Sequence, residues 1–172
     1  MTSQRALLRG TTLTGAAILL TALLSGCSVP TNLFSGDAQR DDKGNVTDGS
    51  SIDIFKLKVG DCKFEDDQSS TELSDTNVVP CDEAHDEEVY AEFKLPDGEF
   101  PTEEELDAAS DPKCGEEFTK FVGVAVEASK LDYFYYSPTE QGWDELDDRL
   151  IQCVLYMKDE SQLTGSMKGS GA

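Results

Sequence analysis

The cysteines constrain this chain more than any other feature. Five occur, and Cys27 closes an N-terminal stretch of its own kind, leaving Cys62, Cys81, Cys114 and Cys153 in the body. No two of these four stand at CxxC spacing, and His85 is the only histidine. A structural zinc site therefore lacks its ligand set, and no metal or other cofactor is expected. Four cysteines in an exported chain read as two disulfides, with three connectivities open. The favoured one joins Cys62 to Cys81 across a short acidic loop and Cys114 to Cys153 between a helix and a late strand. Each bridge is worth about 3 to 4 kcal/mol by loop-closure entropy.

Export follows from the first 26 residues. Arg5 and Arg9 precede an uncharged stretch from Gly10 to Gly26, the n- and h-regions of a secretory signal. Leu24-Ser25-Gly26-Cys27 then places small residues before a cysteine, the lipobox pattern, in which Cys27 receives a diacylglyceryl group with palmitate-type chains and becomes the new N-terminus. The stretch falls short of the ~20 apolar residues that span a bilayer. Residues 1–26 are thus read as a lipoprotein signal peptide, and the body as lipid-anchored on the outer, extracytoplasmic face of the cell membrane. Residues 27–51 are polar and turn-rich, with Gly36, Asp41, Asp42, Gly44, Asp48 and Gly49. They are expected to form a disordered tether with a reach on the order of 27 Å.

The charge selects partners. The chain has 35 acidic against 14 basic side chains, a net of -21, and removal of Arg5 and Arg9 with the signal takes it to -23. Nucleic acid and anionic polymers are repelled by a field of this sign, whereas a basic extracytoplasmic surface on a protein partner is attracted.

The remaining pattern predicts one domain over 52–158. Ile52–Val59 reads as a first strand ending at Gly60-Asp61, and Asn77–Cys81 as a short extended piece that Pro80 holds at an edge. Glu88–Lys94 alternates, with Val89, Ala91 and Phe93 on one face. Thr102 and Glu105 form a capping box for a short acidic helix, and Asp111, Pro112 and Gly123 mark a second helix with a Cys114, Phe118, Phe121, Val122 stripe. Leu131–Tyr136 and Arg149–Met157 read as strands, separated by a helical turn capped near Thr139 that leads to Trp143. Residues 159–172 are expected to be a disordered tail. The fold class is α+β: a small, mostly antiparallel sheet with two or three short helices and two disulfides.

Catalytic signals are weak. His85 stands among Asp82, Glu83, Asp86, Glu87 and Glu88, but no nucleophile elbow accompanies it. Carboxylate pairs are too numerous to single one out, and residues 41–48 lack the ligand order of a calcium loop. No enzyme activity is expected. His85, Trp143 and Arg149 remain as candidate partner contacts.

Taken together, Gly60-Asp61-Cys62, Pro80-Cys81, His85, Glu88, Cys114, Trp143, Arg149 and Cys153 resemble the septum-formation domain family of high-GC Gram-positive bacteria. The resemblance covers residues 52–157. One departure stands out: the family pattern has Gly-Asp-Arg after the tryptophan, and this chain has Asp147-Asp148-Arg149. The resemblance implies a role in septum or cell-envelope formation without catalytic residues. The resulting expectation is a lipid-anchored, noncatalytic binding or scaffold module; the alternative is a small-ligand or solute-binding lipoprotein receptor.

Overall fold

The computed structural model describes residues 36–66 and 74–172; the expected signal peptide and the expected lipidation site Cys27 lie outside them. In chain order the elements are β1 (Ser50–Asp53), β2 (Cys62–Lys63), β3 (Asp75–Val79), β4 (Ala84–His85), β5 (Glu87–Lys94), α1 (Glu103–Val122), β6 (Leu131–Tyr136), α2 (Glu140–Glu145), β7 (Leu150–Met157) and β8 (Leu163–Thr164). Six strands form one sheet in the order β1-β3-β2-β5-β7-β6, and β4 pairs with β8 apart from it. Every pairing is antiparallel, so the α+β expectation holds.

The sheet is a middle layer with a core on each face. On one, α1 buries Leu106, Cys114, Phe118 and Val122 against Tyr90, Leu131, Ile151 and Leu155. On the other, Ile52, Val78, Val89 and Val154 pack with Ala38 and Val46. Both disulfides form as favoured, Cys62–Cys81 and Cys114–Cys153. The second pins α1 to β7.

Several elements differ from the sequence reading, each for a local reason. The first strand stops at Asp53, because that side chain accepts the Phe55 N–H at 2.8 Å and turns Ile54–Lys56 into a 3-10 helix. Strand β3 is not at an edge, since β1 covers it and Pro80 falls just beyond its last residue. Val89 does not share a face with Ala91 and Phe93. A bulge between Val89 and Ala91 sends Val89 to the second core and Ala91 with Phe93 to the first.

The two expected helices are one. Thr102 and Glu105 make the capping box, Gly123 ends the helix at φ 97°, and Pro112 lies inside it. An interior proline costs about 3 kcal/mol, yet the stripe Leu106, Ser110, Cys114, Phe118, Val122 is buried on both sides of it. Continuous burial of that stripe against the sheet outweighs the lost backbone bond.

Neither flank is a loose segment where it is described. Within the expected tether, Asp41 accepts the backbone N–H groups of Lys43 and Asn45, each at 2.9 Å, and Arg40 bridges Val46 across the turn. Ala38 and Val46 then close the second core. At the other end β8 pairs with β4, and the Gly169 and Gly171 N–H groups donate to the carbonyls of Phe121 (2.7 Å) and Val122 (2.9 Å). Carbonyls at a helix C-terminus lack partners within the helix. The expected disordered tail, residues 159–172, supplies them.

Candidate interaction site

The residues singled out from the sequence are engaged inside the domain. His85 is fully buried; its Nδ1 lies 2.9 Å from the Glu83 carbonyl, which can only accept, so Nδ1 carries the hydrogen. The acids around it point elsewhere. Glu87 takes the Lys63 ammonium at 2.6 Å, and Asp86 accepts from Glu65 N–H and Gln162. Glu88, also fully buried, accepts from Ser166 Oγ at 2.5 Å and the Met167 N–H at 2.7 Å. Burial raises the Glu88 pKa, and these two donors with Lys168 offset only part of it.

Trp143 and Arg149 form a second internal unit. The guanidinium carbon lies 3.7 Å from the Trp143 ring centroid, and Nη1 donates to the carbonyls of Trp143 and Asp148 at 2.8 and 2.9 Å. Trp143 Nε1 donates to the Gly98 carbonyl at 2.9 Å. Neither His85 nor Trp143, expected as partner contacts, presents its side chain at the surface; Arg149, a tenth exposed, serves the same internal stack. The departure from the family pattern also finds its place here. Asp147 has φ 55°, a left-handed conformation that glycine adopts freely and aspartate tolerates.

Buried charge recurs on the opposite face of the sheet. Lys63 Nζ, wholly buried, contacts Glu87 at 2.6 Å, Asp66 at 2.7 Å and the Tyr136 hydroxyl at 3.1 Å. Its three protons are thereby matched by three acceptors. The grouping of Cys62, Cys81 and Glu88 offers no thiolate while the two sulfurs are bonded to each other.

Among the described residues a recess of about 320 Å³ opens to solvent between α1 and β6. From α1 come Asp111, Gly115 and Thr119, one helical face; Glu127 follows in the next turn, and β6 adds Asp132 and Tyr133. Gly115 lets Tyr133 approach closely: a Cβ there would stand 3.0 Å from its hydroxyl and push it back by a few tenths of an ångström. That hydroxyl donates to Asp111 Oδ1 at 2.9 Å. Burial, the bond to Asp111 and the nearby carboxylates push its pKa up to about 12, so it stays a donor at neutral pH. Three carboxylates and no basic side chain line the recess.

The sequence reading missed this recess because its residues come from three separate elements. The visible signal was a glycine on the polar flank of the Cys114–Val122 stripe and a tyrosine strand after it.

The chain matches the family model described as "Septum formation" over residues 26–170. It belongs to the septum formation family. No curated protein and no solved structure matches it. The family ties the chain to cell division and envelope building, as the residue pattern implied. The residues that carried the resemblance turn out to build the septum formation domain. Gly60 (φ 92°) makes the turn before Cys62, Asp61 holds Arg40, Glu88 holds the C-terminal segment, and Trp143 stacks on Arg149.

Proposed function

We propose that this septum formation domain is a noncatalytic binding module, anchored by lipid at Cys27 on the outer face of the cell membrane. There it holds a basic extracytoplasmic segment of a division or envelope protein. The observation that carries this reading is the contrast between the interior and the recess. His85, Lys63, Glu87, Glu88 and Arg149 are all tied into internal contacts, while the open recess is lined by Asp111, Glu127 and Asp132. A carboxylate recess favours a cation and gives no nucleophile-base pair. The two disulfides suit an oxidising compartment, and the lipobox ending at Cys27 supplies the anchor.

The test is a fusion fluorescent in the extracytoplasmic space, followed through division with Cys27 intact and with Cys27→Ala. Recruitment to midcell before constriction, lost in the variant, supports the reading. A uniform membrane signal throughout division refutes the septal part of it. The alternative, a small-ligand receptor, draws on the same recess, whose volume is near the lower end of ligand cavities. A thermal-shift screen in which a small amine stabilises the domain would favour it.

A further inference from the structure

The edge of the sheet beside the recess is unpaired. Among the described residues strand β6 pairs only with β7, and Lys158 N–H donates to the Lys130 carbonyl. By alternation, residues 132, 134 and 136 turn their backbone groups to β7, and 131, 133 and 135 turn theirs outward. Two outward donors are held locally: the Leu131 N–H by Ser129 Oγ and the Tyr133 N–H by Asp132 Oδ1, both at 3.0 Å. For the outward Tyr135 N–H the described residues supply no acceptor.

The recess lies at this edge. Neighbouring strand residues send their side chains to opposite faces, so a cavity lined by both Asp132 and Tyr133 together with α1 sits where the two faces meet. Natural sheet edges are blunted by lysine, proline or a bulge. Strand β6, Leu-Asp-Tyr-Phe-Tyr-Tyr, has none of these. Its only guard is negative charge, which repels a second copy of a chain with a net of -21 and admits a cationic strand.

Building on the binding-module reading, we infer that the β6 edge is a strand-addition site for an extended basic segment of a protein partner. The segment pairs with the outward carbonyl of Tyr133 and the outward backbone groups of Tyr135, and sets one lysine or arginine in the recess, against Asp111, Glu127 and Asp132. Extended peptides gain affinity from main-chain bonds and specificity from pockets for alternate side chains. The basic groups nearest this end of β6 do not fill the recess: Lys158 Nζ is bonded to the carbonyls of Val126 and Ser129, and Lys130 is not among the lining residues.

The experiment uses the full chain in a neutral detergent and a labelled heptapeptide alternating threonine and arginine. Three companion peptides are needed, one with glutamate for arginine and two N-methylated at alternate residues, one in each register. Binding of the arginine peptide should fall with salt and slow hydrogen exchange at the Tyr135 amide. Glu127→Gln with Asp132→Asn should weaken it about tenfold. N-methylation in the register that faces β6 should abolish it with the charge unchanged. No binding, equal binding of the N-methylated peptides in both registers, or indifference to the double variant overturns the inference. These outcomes are independent of midcell recruitment, so the binding-module reading fails or stands separately.

Discussion

Arg40 grips Asp61 with both ends of its guanidinium, Nη1 to Oδ1 at 2.5 Å and Nη2 to Oδ2 at 2.7 Å. Asp61 is 1% exposed and also accepts the Lys58 N–H at 2.8 Å. An ionised carboxylate so deeply buried depends on its partner, because removing one member of a buried pair strands the other. Arg40→Leu should destabilise the domain by about 3 kcal/mol, read by denaturant unfolding. Arg40→Lys should recover only part of this, since an ammonium cannot make the two parallel bonds. A loss below about 0.5 kcal/mol in Arg40→Leu would show that the segment before β1 does not secure the Gly60-Asp61 turn.

Glu88 gives stability a pH dependence of definite sign. Its pKa is raised in the folded state, first by burial, so between its unfolded and folded values the folded chain binds more protons. Stability from this group is full below the unfolded value of ~4.3 and is lost as pH rises through the folded value. Glu88→Gln keeps one acceptor oxygen for the Met167 N–H, can donate its amide to Ser166 Oγ, and cannot ionise. The stability of Glu88→Gln relative to the parent should therefore climb with pH above ~4.3 and then level off. A difference that is flat between pH 4 and 8 would contradict the assignment.

Asp147 occupies a left-handed position with φ 55°, and its ion pair to Arg149 Nη2 at 3.2 Å is on an exposed side chain. Exposed pairs contribute little, whereas a left-handed backbone costs a residue with a Cβ about 1 to 2 kcal/mol. Glycine there also raises the entropy of the unfolded chain, so the gains partly cancel. Asp147→Gly should stabilise the domain by about 0.5 kcal/mol, measured as a rise in Tm. A fall in Tm would mean that the carboxylate matters more to Arg149 than the backbone does.

Much of the architecture was legible because its signals are local. Capping at Thr102, the left-handed stop at Gly123 and the apolar stripe through Cys114 and Phe118 need only neighbours in sequence, and the number of disulfides, though not their pairing, follows from an even count. The misread elements depend on partners far along the chain. Ala38 and Val46 are isolated small apolar residues in a polar stretch, and only the second core across the sheet gives them a place. The C-terminal glycines look like a loose end until the carbonyls of Phe121 and Val122 are seen to need donors. A rare residue type attracts attention wherever it lies: His85 and Trp143 are scarce in the chain and buried in the fold. The recess escaped notice because acidic residues are so frequent that three converging ones carry no mark in the sequence.

The two disulfides should respond differently to a reductant. Cys114 and Cys153 are both wholly buried beneath α1, while Cys81 is half-buried and pairs with buried Cys62 at the end of β2. Thiol–disulfide exchange requires a thiolate to reach a sulfur, so access sets the order of opening. Mild dithiothreitol followed by alkylation and mass mapping should label Cys62 and Cys81 first, with Cys114 and Cys153 protected until the domain unfolds. Loop-closure entropy points the same way, since the separations of 19 and 39 residues correspond to about 3.3 and 3.9 kcal/mol. The paired change Cys114→Ala with Cys153→Ala should therefore destabilise more than Cys62→Ala with Cys81→Ala. Simultaneous labelling of all four cysteines under native conditions would show that the helix-to-sheet contact opens as readily as the β2 turn, and that α1 is not the most stable part of the domain.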